Sequence, residues 1–194
     1  MLLPINPAHP EPRKIAQAVR VIEDGGIIAY PTDTVYGIGC DLHNKQAIER
    51  LYQMKGMPRK KPLALICPDL SNIAKYAIVD NQTYRVLKHF LPGPYCFVLQ
   101  ATREVPRFLH TKQKTVGIRV PDHPVTHALV SELGRPVVST TAMESSLRSS
   151  SKTARISRIV SRLKAFLFSG LLMVIFATPC ADTGARLVDV PAPR

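Results

Sequence analysis

The sequence predicts a single layered α/β domain, and three observations carry that expectation. A chain of 194 residues with 45% hydrophobic content suits one domain with a sizeable core. Short apolar runs of strand length are interleaved with stretches whose apolar residues recur at helical spacing. No internal repeat divides the chain.

The elements follow in order. From Glu11 to Asp24, Ile15, Val19 and Ile22 fall at helical spacing, and Gly25-Gly26 ends the run as a C-cap would. Ile27–Tyr30 reads as a buried strand, and PTDTVYGIG at Pro31–Gly39 reads as the polar loop after it. Asn44 is placed to cap a second helix carrying Ala47, Ile48, Leu51 and Met54 on one face, stopped at Lys55-Gly56. Leu63–Cys67 reads as a strand; Ser71–Tyr76 and Asn81–Phe90 read as helices; Leu91-Pro92-Gly93-Pro94 is a breaker. Tyr95–Gln100 and Thr115–Val120 read as strands, Pro124–Leu133 as a helix stopped by Gly134, and Val137–Thr141 as a further strand.

Composition changes at about Glu144. Between Ser145 and Lys164 stand seven serines, four arginines and two lysines without an acid, as in a solvated basic helix or a disordered linker. Ala165–Ala181 carries no charge over 17 residues, which touches the lower limit of a membrane span, about 17–25 residues. Ser169, Gly170, Thr178 and Pro179 interrupt it, so a core segment is the better reading and no membrane partner is expected. The organisation expected is a domain over 11–143 and an atypical basic and apolar tail over 144–194.

Lys and Arg number 26 against 14 acids, a formal +12. Residues 1–143 hold 18 bases and 11 acids, so the excess does not depend on the tail. Such a surface favours polyanions, nucleic acid or nucleotide among them. Cysteines 40, 67, 96 and 180 form no CxxC pair and read as buried free thiols of a reducing compartment. The start, MLLPINPAHPEPRK, lacks the pattern of a secretory signal, which points to the cytoplasm.

Polar residues gather in three groups. Thr32, Asp33, Thr34 and Tyr36 follow the first strand, with Gly37 and Gly39 free to approach a ligand or to adopt positive φ. Lys55, Arg59, Lys60 and Lys61 end a helix. Thr115 and Arg119 on KTVGIRVP, with Ser139, Thr140 and Thr141 on VVSTT, form the third. Lysine and arginine supply charge for phosphates, and arginine adds a planar fork for a carboxylate. Each group also has a plain structural account: a solvated basic face, an exposed edge-strand arginine, or threonines chosen for β propensity. There is no GxxxxGK[ST] or GxGxxG element. The six histidines show no metal spacing, and no nucleophile–base arrangement can be read in sequence order, so neither a metal ligand nor a catalytic residue is assigned.

The order of motifs narrows this. PTDTVYGIG, KGMPRKKPL, LPGPYCFVL, TVGIRVPDHP and VVSTTAM, over about Ile15 to Met143, resemble the YrdC/YciO family. The stretch CPDLSNIAKYAIVDNQTYRVLKHFLPGPYCFVL, with TREVPRFL after it, is most similar to the YciO branch. The resemblance implies a twisted mixed sheet flanked by helices, with a concave positive face. It implies binding of ATP or another adenine nucleotide, with Mg2+ as an optional companion. Affinity for RNA, either tRNA or double-stranded RNA, is implied as well. The synthase branch condenses L-threonine, bicarbonate and ATP into threonylcarbamoyl-AMP, releasing pyrophosphate, for threonylcarbamoyladenosine in tRNA.

Carried over by residue, Thr34 matches a threonine contact and Arg119 the arginine that holds the substrate carboxylate, with Thr32 and Tyr36 beside them. Lys55 matches the lysine of a KxR element that meets ATP phosphates. Thr115 matches a nucleotide contact, and Thr141 the serine of an SxN element, with Arg59 and Ser139 assigned to the nucleotide as well. Two positions depart: the KxR arginine is Met57 and the SxN asparagine is Met143. Each lost charge-assisted hydrogen bond costs on the order of 1.5–3 kcal/mol, so two weaken nucleotide handling by roughly two to four orders of magnitude unless something compensates. Ser145–Arg194 matches no family pattern and reads as an altered or replaced terminus that leaves the domain incomplete. The first expectation is therefore a YciO-like nucleotide- and RNA-binding protein linked to threonylcarbamoyladenosine tRNA modification. The alternatives are an active synthase, a nucleotidyltransferase using Arg59, and a non-catalytic double-stranded RNA-binding protein.

Overall fold

The computed structural model describes residues 2–58, 61–109, 111 and 113–142, together with the backbone of one strand at Met173–Phe176. The strands are β1 (Leu2–Leu3), β2 (Ile27–Tyr30), β3 (Gly37–Asp41), β4 (Ala64–Ile66), β5 (Phe97–Gln100), β6 (Thr115–Arg119), β7 (Val137–Thr141) and β8 (Met173–Phe176). The helices are α1 (Pro12–Glu23), α2 (Lys45–Lys55), α3 (Leu70–Tyr76), α4 (Asn81–Phe90) and α5 (Pro124–Leu133), with a short 3-10 turn at Arg107–Leu109.

All strands join one mixed sheet in the order β1-β8-β2-β3-β7-β4-β6-β5. Among the described residues only β4 and β6 pair in parallel, and every other neighbouring pair is antiparallel. β7, late in the chain, lies between β3 and β4.

Strand alternation sorts the side chains onto two faces. On one face Ile38, Cys40, Leu65, Val116, Ile118 and Val138 pack with buried residues of α2, α3 and α4. On the other, Ile28, Tyr30, Ile66 and Val137 pack beneath α1 and α5. Neither β5 nor β6 adds a residue to that second cluster, and Val98 of β5 is 69% exposed. Among the described residues, therefore, no helix covers that face over β6 and β5.

Local chemistry explains the helix ends. The Asn44 side chain accepts from the Ala47 backbone N–H at 2.9 Å, and Asp69 and Asp80 cap α3 and α4 in the same way. Gly56 and Gly134 take the left-handed conformation that ends α2 and α5.

The structure corrects three expectations. Pro31–Gly39 is not all loop: Gly37–Asp41 is a strand paired with β2, and the connection is only the segment between Tyr30 and Gly37. Two glycines in five residues lower strand propensity and hide it. Neither Gly37 nor Gly39 has positive φ; both are there for close packing. A Cβ on Gly39 would stand 2.4 Å from Val137 Cγ1, and one on Gly37 would stand 2.7 Å from Tyr30 Cζ. Finally, Cys40 and Cys67 are buried thiols, but Cys96 is exposed, because it stands just before the edge strand β5.

Arg59, Lys60, Met143, Cys180 and the Ser/Arg-rich stretch lie outside the described residues. Of the apolar run 165–181, the described part is β8, which pairs with β2 and β1. Among the described residues no helix is long and apolar enough to cross a membrane.

Candidate functional site

A cavity of about 240 Å³ sits on the sheet face that carries α1 and α5. Its floor is made by strand residues that share that face. In register, Ser139 of β7 stands opposite Gly39 and Ala64, and Ala64 opposite Gly117. Ile66 and Arg119 form the next row. Thr32, Val35 and Tyr36 reach it from the β2–β3 connection, Thr141 from β7, and Pro62 and Cys96 from the approaches to β4 and β5.

The strand directions give this site an arrangement that strand ends alone would not. Tyr30 pairs with Gly37, and Gly37 with Thr141. Arg119 pairs with Ile66, and Ile66 with Val137. Thr141 and Val137 are four residues apart on β7, a separation of roughly 13 Å along the strand. Arg119 and the Thr32–Tyr36 segment thus start from opposite ends of the sheet and meet across its face. Arg119 Nη2 donates to Thr34 Oγ1 at 2.9 Å and also to the Asp33 carboxylate, with which it forms an ion pair. Both charged side chains are mostly covered, 16% and 13% exposed. Arg119 Nε is buried and has no acceptor among the described residues.

The floor has its own polar chain. The Tyr30 hydroxyl donates to Ser139 Oγ at 2.5 Å, and Ser139 Oγ donates to the Ile38 carbonyl at 3.2 Å. Burial pushes the Tyr30 phenol well above its ordinary value, so it stays protonated. Close by, the His123 side chain accepts from the Val125 backbone N–H at 3.3 Å and caps α5. Burial lowers the His123 imidazole, with Asp33 and Asp122 opposing.

The candidate residues divide accordingly. Thr32, Tyr36, Arg119, Ser139 and Thr141 line the one cavity, and Thr34 joins them through Arg119. Thr115 shares the face of Arg119 but stands at the far end of β6, its hydroxyl 2.7 Å from that of Thr111. Lys55 is buried at the end of α2, the helix that covers the opposite face, and is absent from the cavity lining. Its ammonium is lowered by burial and by Lys61. Met57, at the position of the expected arginine, packs against the apolar core. Tyr30 and Cys96 line the cavity without having been singled out. Tyr30 was hidden in an apolar strand, and Cys96 in an edge run that reads as core. Asp33 was noticed only as a hydrogen-bonding group; its ion pair spans 86 residues and leaves no local signal.

A family profile named for Sua5, YciO and YrdC, and described as telomere recombination, matches residues 20–175. YciO of Escherichia coli K12 is 44% identical over 140 residues, spanning 72% of this chain and 68% of YciO. The crystal structure of E. coli YciO superposes with a TM-score of 0.68 over 70% of this chain and 66% of that one. A threonylcarbamoyl-AMP synthase of Halorhodospira halophila is 35% identical over 153 residues, 78% of this chain and 80% of the synthase. The structure of P. abyssi Sua5 complexed with L-threonine gives a TM-score of 0.65 at 30% identity, over 69% of this chain and 40% of that one. The chain thus spans about two thirds of YciO and less than half of that Sua5. By sequence and by fold alike, this chain belongs to the Sua5/YciO/YrdC family.

Proposed function

We infer that this protein is a YciO-like nucleotide- and RNA-binding protein linked to threonylcarbamoyladenosine tRNA modification. Its cavity takes a small α-amino acid, held by its carboxylate on Arg119, together with an adenine nucleotide. The observation that carries this is Arg119 itself: a guanidinium on a cavity wall, hydrogen-bonded to Thr34 of the PTDTVYG segment. Arginine reads a carboxylate through paired N–H donors. Supporting it are a relative whose structure was determined with L-threonine and a relative named threonylcarbamoyl-AMP synthase. The formal +12 supports an RNA partner, and the free buried thiols of Cys40 and Cys67 fit a cytoplasmic place of work.

Binding without efficient synthesis is favoured over full synthase activity by Met57. Its side chain packs on the core and offers no guanidinium to a phosphate. The test is incubation of the purified full chain with ATP, L-threonine and bicarbonate while pyrophosphate is followed. No threonine-dependent release, together with tRNA binding that weakens as salt rises, supports the reading. Threonine-dependent release above background turns the assignment to the synthase alternative. Absence of both nucleotide and RNA binding overturns it.

A further inference from the structure

The segment between Tyr30 and Gly37 is tied down at its two ends. The Thr126 hydroxyl donates to the Pro31 carbonyl, and the Ala142 N–H donates to the Tyr36 carbonyl at 2.8 Å. Within the segment, Thr32 Oγ1 donates to the Val35 carbonyl at 2.6 Å and accepts from the Thr34 N–H at 3.2 Å. Those bonds shape the turn but do not hold it to the rest of the protein. From Asp33 and Thr34, the hydrogen bonds that leave the segment both run to Arg119 Nη2. Val35 at the tip is 46% exposed. A single guanidinium therefore fastens the tip over the cavity.

The acceptor that Asp33 offers Arg119 is a carboxylate, the same chemical group that the proposed function places there. We propose that Asp33 is a built-in competitor for Arg119, a specificity-setting latch that a ligand must displace with its own carboxylate. Nη2 is already engaged by two acceptors, and Nε has none among the described residues and is closed off from solvent. A carboxylate that takes the fork in two-point fashion uses Nη2 with either Nε or Nη1, and both Nη2 protons are already engaged, so Asp33 has to leave and the tip has to move. Anions lacking that geometry gain less from Arg119 than they lose by breaking the existing pair. Loss of the latch loosens the segment from Thr32 to Tyr36, of which Thr32, Val35 and Tyr36 line the cavity. This inference rests on the reading of Arg119 as a carboxylate anchor.

The test uses the full chain and Asp33→Asn, which keeps the size and removes the charge. Hydrogen exchange is read at the Thr34–Tyr36 amides without ligand, and L-threonine binding is read by calorimetry. The expected result is exchange at those amides about tenfold faster in the variant and L-threonine bound about tenfold more tightly, each about one factor of ten in an equilibrium constant. Asp33→Ser gives the same directions and guards against a peculiarity of the amide. If the parent binds L-threonine and the variants bind it no better, or more weakly, the latch is overturned and the anchor stands. If neither form binds L-threonine, the anchor reading falls, and unchanged exchange then removes the latch as well; faster exchange retains it as a fastening of the segment alone.

Discussion

The two ends of β3 each carry an arginine–aspartate pair, and the pairs differ in how fully the guanidinium is used. At the Asp41 end, Arg135 donates from Nε to both carboxylate oxygens at 3.1 and 3.2 Å and from Nη2 at 2.8 Å. Arg135 Nη1 also reaches the Leu133 carbonyl at 3.4 Å, and Glu23 stands 3.9 Å away. Burial works to raise the Asp41 carboxyl, but Arg135 and the His43 N–H hold it below the usual carboxylate range. At the Gly37 end, Arg119 uses one nitrogen for two acceptors and leaves Nε without a partner. A fork in which each nitrogen has a protein acceptor joins the end of α5 to the sheet; a fork beside a cavity with Nε unpartnered among the described residues is the less fully used of the two. The contrast sets a pair used fully for packing against the pair to which the proposed function gives a binding role.

Substitutions at these positions sharpen that contrast or break it. The largest effect belongs to the pair beside the cavity: Arg119→Ala lowers L-threonine affinity at least about 100-fold, or about 2.7 kcal/mol, and also lowers the urea midpoint, because Asp33 is left covered without its partner. Equal affinity in parent and variant would remove the anchor. Arg135→Ala shows the stability cost alone, about 1–3 kcal/mol of unfolding free energy in urea, because Asp41 is left covered without its partner, while ligand affinity is kept. Between the two lies the cavity floor: Tyr30→Phe removes the donor to Ser139 and costs about 1 kcal/mol, read as a melting-temperature drop of about 2–4 °C.

The smallest effect is a pH dependence. The folded chain depresses the His123 imidazole, so it binds that proton less readily than the unfolded chain does. The associated stability is complete above the unfolded value of about 6.5 and is lost as pH falls through the folded value. Unfolding free energy measured from pH 8 down to 5 falls more steeply for the parent than for His123→Asn. Equal slopes would mean that the α5 cap does not depend on a neutral imidazole.

Much of the fold was legible where pattern and cap agree. Asn81–Phe90, Pro124–Leu133, Ile27–Tyr30 and Val137–Thr141 have the bounds expected from periodicity, Gly134 and the flanking prolines. Gly37–Asp41 was not legible, because glycine alternating with Ile38 and Cys40 reads as a turn until a partner strand is known. Leu2–Leu3 is too short to show any period. The candidate site was legible in composition but not in geometry. Arg119 and the Thr32–Tyr36 group were found, yet strand directions set by long-range pairing decide that they meet across a face rather than at a common rim. The same pairing puts α2, and Lys55 with it, on the other side.

The position of β7 between β3 and β4 also bears on how the protein is made. As the chain leaves the ribosome, the β2–β3 hairpin and the β4–β6–β5 sheet fragment emerge without a strand between them. Each presents a raw edge that invites wrong partners. Insertion of Val137–Thr141 closes both of these facing edges in one step and brings the two walls of the cavity together, so a nascent chain ending before that strand lacks the cavity.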